Sequence, residues 1–142
     1  MQITDKNSRT FKIILIIYAL LYILAGFNHF ISTKGYYAIM PKWLPYHEIL
    51  IYLSGVIEIC LGVLLLFSKT RKPASLGIIL MLLAFLPAHI YMIQIAPFML
   101  GKILVTPFIA WMRLPFQALF IGWAWYYYCK ADKQISSPAV SL

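Results

Sequence analysis

Four stretches of the chain stay apolar for about twenty residues each, and short polar or proline-bearing breaks separate them. They cover residues 11–30 (FKIILIIYALLYILAGFNHF), 48–67, 74–93 and 109–129. At 1.5 Å per residue, roughly 20 helical residues cross the ~30 Å hydrocarbon core of a bilayer, so each stretch predicts a membrane span. The ten residues before the first stretch, MQITDKNSRT, carry Lys6 and Arg9. The apolar run is longer than a signal-peptide core and no A-x-A-like site follows it, so it is read as a retained first span. Residues 31–47 are rich in Tyr, Trp, Lys and Pro, and Pro41 and Pro45 stop either flanking helix from continuing. In the short loop SKTRKP, Pro73 suits the start of the third helix. Pro87, late in that helix, removes the donor that the Leu83 carbonyl would otherwise have, which predicts a kink. Residues 94–108 are interrupted by Pro97, Gly101, Lys102 and Pro107 and read as an interfacial or re-entrant segment. The fourth span ends in the aromatic run WAWYYYC, and a polar, frayed tail follows. No internal repeat and no second domain are visible.

Composition supports the same reading. Of 142 residues, 63% are hydrophobic and only 11% charged, and mean hydropathy is +0.84. That leaves too little polar surface for a water-soluble domain of this size. The net charge of +8 comes from basic residues at the ends of the apolar runs, where they meet lipid headgroups; nucleic acid is not an expected partner. Four spans place both termini on one side. Lys6, Arg9, Lys12, Lys69, Arg71, Lys72, Lys130 and Lys133 would lie there, against Lys34, Lys42, Lys102 and Arg113 on the other. The positive-inside rule then makes the first side cytoplasmic. The expected fold class is all-α: a polytopic membrane four-helix bundle, one transmembrane domain over residues 1–142, with both termini cytoplasmic. Cys60 and Cys129 lie in different spans without a Cys-x-x-Cys, which disfavours a dithiol redox site, and Cys60 reads as a small apolar filler.

Polar side chains in lipid lack hydrogen-bond partners, so those within spans turn inward and mark a pocket or a structural pair. They are Asn28 and His29, Glu58, His89, and Arg113 with Gln117. All six fall in the outer half of the predicted bundle. On a helical wheel Glu58 shares its face with Ser54, Gly55 and Gly62, small residues that let another helix approach closely. His29 shares its face with Tyr18, Tyr22, Ala25 and Gly26. Glu58 lies roughly 15 Å in from the outer end of its helix, where a lone carboxylate is either neutral or paired. Arg113 is the expected cation, about 9 Å away in depth. Two readings follow: a polar pocket open to the outer face, or a buried Glu–Arg pair that fixes helix register. His29 and His89 are metal- or haem-capable, but there is no C-x-x-C-H and no Glu-x-x-His pair, so no metal site is expected.

AGFNHF (25–30), MPKWLP (40–45), SGVIEICLG (54–62), PAHIYM (87–92) and RLPFQ (113–117) occur in an order and spacing that resembles the DoxX-like family of small four-span membrane proteins. The resemblance covers nearly the whole membrane part of the chain. It implies a bacterial inner (plasma) membrane and an association with quinone-linked oxidation, and it points to His29, Glu58, Arg113 and Gln117. Many sequences resembling this one carry Asn at the position of His89, which implies hydrogen bonding there rather than metal ligation. The resemblance supplies no catalytic motif. The expected function is an accessory or redox-associated subunit with a quinone as its lipophilic cofactor and a redox partner protein. Glu58 would handle protons, Arg113 would be its electrostatic partner, and His29 would bond a quinone carbonyl. The alternatives are a non-enzymatic assembly or chaperone-type module in which the Glu–Arg pair is structural, and a small-solute transporter, for which paired broken helices are lacking.

Overall fold

The computed structural model describes residues 3–100 and 102–135 of the chain; the expected frayed tail lies mostly outside them. The fold is mostly helical. In order it contains α1 (Ile3–Ile31), α2 (Thr33–Ile39), α3 (His47–Leu66), α4 (Arg71–Ala84), α5 (Leu86–Ile95), a hairpin of β1 (Phe98–Leu100) and β2 (Ile103–Val105), and α6 (Pro107–Ile135). Three helical stretches are long and apolar enough to cross a membrane: Arg9–Ile31, His47–Leu66 and Arg71–Ile95. α6 is as long as α1, but Arg113, Gln117 and its Trp- and Tyr-rich end make it less apolar. The expectation of four helices undercounts the described chain. α4 and α5 make one rod broken at Phe85, and α2 is a fifth helix inside the 31–47 connection. Eight residues separate Ser32 from Pro41, the first of the prolines predicted to end helices there; Met40 closes α2, and this is room for two helical turns.

The third rod breaks where Pro87 enters, at the second position of α5. The Phe85 amide donates to Met81 O at 3.0 Å and to Leu82 O at 3.2 Å, tightening the last turn of α4 before the proline. Residues 94–108, expected as one interfacial or re-entrant segment, instead divide between the end of α5, the antiparallel hairpin and the start of α6. The hairpin pairs Phe98 with Val105 and Leu100 with Ile103, and Val105 packs with Met92 and Ala110 in a small cluster of its own.

The distribution of side chains is that of a protein whose solvent is lipid. Large aliphatics point outward along every long helix, among them Ile13, Ile17, Leu24, Leu53, Val56, Leu80 and Leu119. Tyr18, Tyr127, Ser75, Glu58, His29 and Gln117 are inside. Lipid is as apolar as leucine, so burying aliphatics between helices gains little, and association rests on close packing and interior hydrogen bonds. α1 packs along α3, α3 against α4, and α4 against α6. α1 and α3 touch backbone to backbone: a Cβ on Gly26 would lie 2.6 Å from Gly55 O, and one on Gly55 only 2.8 Å from His29 Cβ. α1 and α6 are bridged by rings instead. Tyr18 stands 4.5 Å from Trp123 between ring centroids, and its hydroxyl donates to Phe120 O at 2.7 Å.

Ring contacts also fix which ends coincide. Phe11 near the start of α1 meets Tyr126 and Tyr127 near the end of α6, and Lys72 at the start of α4 lies over Tyr128. The end of α1, the first half of α3, α5 and the start of α6 therefore gather at the opposite end.

Candidate functional site

At that opposite end, close packing of α1 on α3 brings His29 beside Glu58. Nε2 of His29 is 3.5 Å from Oε1 of Glu58, and both side chains are almost fully buried. Nδ1 of the same ring lies 3.0 Å from Ile51 O and 3.0 Å from Ser54 Oγ. A carbonyl only accepts, so the ring donates to Ile51 O, and the ring plane is held by α3 on one nitrogen and by Glu58 on the other. Tyr36 of α2 stacks on the imidazole at 3.8 Å between centroids. Burial pushes the Tyr36 phenol above its ordinary pKa and the Glu58 carboxylate adds to this, while its bond from Asn28 and the Arg113 guanidinium oppose it.

His29, Tyr36, Glu58, His89 and Arg113 line one cavity of about 880 Å³, whose other walls are mostly aliphatic or aromatic. Two of the six expected residues stand behind that wall. Asn28 is exposed and donates to Tyr36 OH at 3.1 Å while accepting from Ser32 Oγ. Gln117 is buried and bonds both His89 Nδ1 and Leu82 O, its amide nitrogen donating to the carbonyl. The carbonyl near the Pro87 break that gains an outside donor is thus Leu82, not Leu83. His89 is hydrogen-bonded to Gln117 Oε1.

The expected Glu58–Arg113 ion pair is not formed. The carboxylate is within 4.0 Å of His29 and not of Arg113, although both groups line the same cavity. The glycine contacts explain this: they draw α1 against α3, whereas α6 packs on α4, on the far side of the cavity. One oxygen of Glu58, Oε2, and the Nε of Arg113 are both buried without a hydrogen-bond partner, as is Tyr22 OH. The residues that carry this acceptor and this donor both line the cavity, whose walls are otherwise largely apolar. Such a site fits a lipophilic molecule with a polar end that can both donate and accept.

Two residues with structural weight were misread or passed over in sequence. Tyr36 was one of several aromatics in the connection over 31–47, and only its place in α2 puts its ring on His29. Arg71 was expected among the cytoplasmic loop charges. It is buried, and its guanidinium donates to Leu65 O and Leu66 O, closing the C-terminal end of α3. Its position six residues after Leu65, across a tight turn, was the available signal. Cys60, expected as a filler, is free and exposed, as is Cys129.

The chain belongs to the family described as Domain of unknown function (DUF8561), whose model matches residues 18–128. That range contains every residue of the candidate site. No curated protein and no solved structure matches the chain.

Proposed function

We propose that this member of the DUF8561 family is a quinone-binding accessory subunit of a membrane redox system, related to the DoxX-like proteins whose ordered motifs it resembles. The observation that carries the reading is one cavity lined by both Glu58 and Arg113, each of which has a buried polar atom without a partner, Oε2 and Nε. The volume lies in the range of small-molecule sites, about 300–1,000 Å³. In this reading α6 is a fourth crossing. Lys12, Lys69, Lys72 and Lys130 then gather at one end, which is the cytoplasmic one of a bacterial inner membrane, and the cavity opens toward the other face.

When bound, the quinone would carry electrons and protons between the bilayer and a redox partner protein. The chain's own residues do the rest. Arg113 Nε donates to a head-group oxygen. Glu58 Oε2 accepts from a head-group hydroxyl of the reduced, quinol form. His29, fixed through Ile51 O, passes a proton to or from Oε1. Tyr36 closes the cavity over the imidazole.

The test is to purify the protein in native-lipid nanodiscs and identify extracted quinones by mass spectrometry. We expect quinone in the wild type and at least about tenfold weaker retention in Glu58→Gln and in Arg113→Met, the loss of one good hydrogen bond to a charged group. Absence of quinone from the wild type, both alone and with co-purifying proteins, overturns the proposal. A second reading, a non-enzymatic assembly module with a structural pin, is favoured by the place of the His29–Glu58 contact at the tightest helix approach. If His29→Leu with Glu58→Leu accumulates, melts and functions as wild type, the pin is dispensable chemistry and the assembly reading replaces ours.

A further inference from the structure

The cavity wall includes side chains that are also part of the outer, lipid-facing surface. Leu53 and Ile57 of α3 and Leu80 and Ala84 of α4 line the cavity and are exposed. Lower down, the same two helices are in close contact: a Cβ on Gly77 would lie 2.7 Å from Leu61 Cδ2. α3 and α4 thus touch at the Leu61–Gly77 level and leave a gap above it, toward His29. The break at Phe85, just beyond Ala84, ends α4 at the top of the gap. We infer that this gap is a lateral portal, and that the cavity loads from the bilayer between α3 and α4.

The other side on which exposed residues reach the cavity lies between α1 and α6, at Leu21 and Ala25. That side is barred by rings. Tyr18, Tyr22, Phe120 and Trp123 are in mutual contact across it, and Tyr18 is hydrogen-bonded to Phe120 O. Leu53, Ile57, Leu80 and Ala84 at the α3/α4 mouth are aliphatic, with Phe85 at its upper edge, and rotamer changes of Leu and Ile widen it. The occupant is a neutral lipophile already dissolved in the membrane, because the mouth is purely apolar and the polar groups, Glu58 and Arg113, stand deeper in. A charged or water-borne ligand would meet hydrocarbon first, which disfavours it.

The inference rests on the quinone-binding reading, and its test separates the two. Protein in nanodiscs is loaded with a deuterated short-tailed benzoquinone and chased with vesicles carrying the unlabelled form; occupancy and exchange rate are read by mass spectrometry. Ile57→Trp and Ala84→Phe fill the mouth from opposite helices, at exposed positions where a larger side chain can be accommodated. Each should slow exchange at least about tenfold while occupancy at equilibrium changes less than about twofold, since a gate alters entry and exit alike. Leu80→Ala should speed exchange and keeps the test decisive if a bulky variant fails to fold. A wild type that retains no quinone defeats the binding reading itself. A loaded wild type whose exchange is unaltered by all three variants, or is slowed instead by Leu21→Trp or Ala25→Trp, overturns the portal and leaves the binding reading standing.

Discussion

Gly26→Ala and Gly122→Ala are the same chemical change in two helices of equal length, and the structure assigns them opposite signs. At Gly122 an added methyl meets nothing within 4 Å. Only helix propensity then acts, and alanine should stabilise α6 by about 1 kcal/mol. At Gly26 the same methyl lies 2.6 Å from Gly55 O, 2.7 Å from Ile59 Cγ1 and 3.0 Å from Ile59 N. Two of these are backbone atoms and cannot rotate away. Reaching the 3.4 Å of an ordinary contact requires α1 and α3 to separate by about 0.8 Å, and separation of that size forfeits a large part of the dispersion attraction along the seam. Overpacking of this kind costs about 1–3 kcal/mol, and a backbone clash belongs at the upper end. After the propensity gain, Gly26→Ala should be destabilising by about 2 kcal/mol, so the two variants should differ by about 3 kcal/mol. Thermal unfolding in one detergent, followed by far-UV circular dichroism, should show Gly122→Ala melting above wild type and Gly26→Ala well below it. If the two variants melt together, within about 0.5 kcal/mol of each other, α1 and α3 do not meet at this seam and the geometry that places His29 beside Glu58 is wrong.

Three other substitutions test separate parts of the interior. Arg71→Met should destabilise by about 1.5–3 kcal/mol through loss of the bonds to Leu65 O and Leu66 O, and amide exchange should accelerate first at the end of α3. Gln117→Leu strands His89 and the Leu82 carbonyl together, a cost of about 1–3 kcal/mol that should lower the melting temperature without changing the oligomeric state. Tyr18→Phe removes only the bond to Phe120 O and keeps every ring contact, so its melting temperature should fall by the equivalent of about 1 kcal/mol, whereas Tyr18→Ala should lose several times as much.

Each apolar run overlaps a long helix or the broken third rod, because local hydropathy and length favour helix there, although α1 begins at Ile3, before the first run, and α6 continues to Ile135, past the fourth. Glu58 was readable as inward-facing for the same local reason: Gly55 and Gly62 share its face, and both press against α1. Its partner was not readable. The choice between His29 and Arg113 depends on which helix the glycine seam meets, and wheel arithmetic on one helix carries no information about its neighbour. Arg71 failed differently. A basic residue between two apolar runs looks like a loop charge, and only the tight turn from Phe67 to Thr70 swings it back under the carbonyls of α3. α2 was hidden by Pro41 and Pro45, which end helices but do not forbid a short one before them. The hairpin after α5 was hidden because three-residue strands are too short for any period to register.

The interior bonds beside the cavity fall into two groups, and the helices that carry them are joined farther down by Tyr18 to Phe120 O and by Arg71 to Leu65 O. His29, Ser54, Ile51 and Glu58 join α1 to α3; Gln117, His89 and Leu82 join α6 to the broken third rod. Of the three partnerless groups, Tyr22 OH and Glu58 Oε2 belong to the α1–α3 group and Arg113 Nε to the other. A ligand that donates to Glu58 and accepts from Arg113 would link two side chains that the chain does not pair with each other. Its binding should therefore stabilise the fold by the ordinary linkage, about 2.7 kcal/mol at a hundredfold excess over Kd. Glu58→Gln keeps a side chain of the same shape, and Arg113→Met keeps most of the aliphatic stem. In both, the unliganded melting temperature should stay near that of wild type while the quinone-induced rise shrinks. A rise of equal size in wild type and both variants would mean that any bound quinone stabilises the protein from elsewhere, and that the two orphaned atoms do not recognise it.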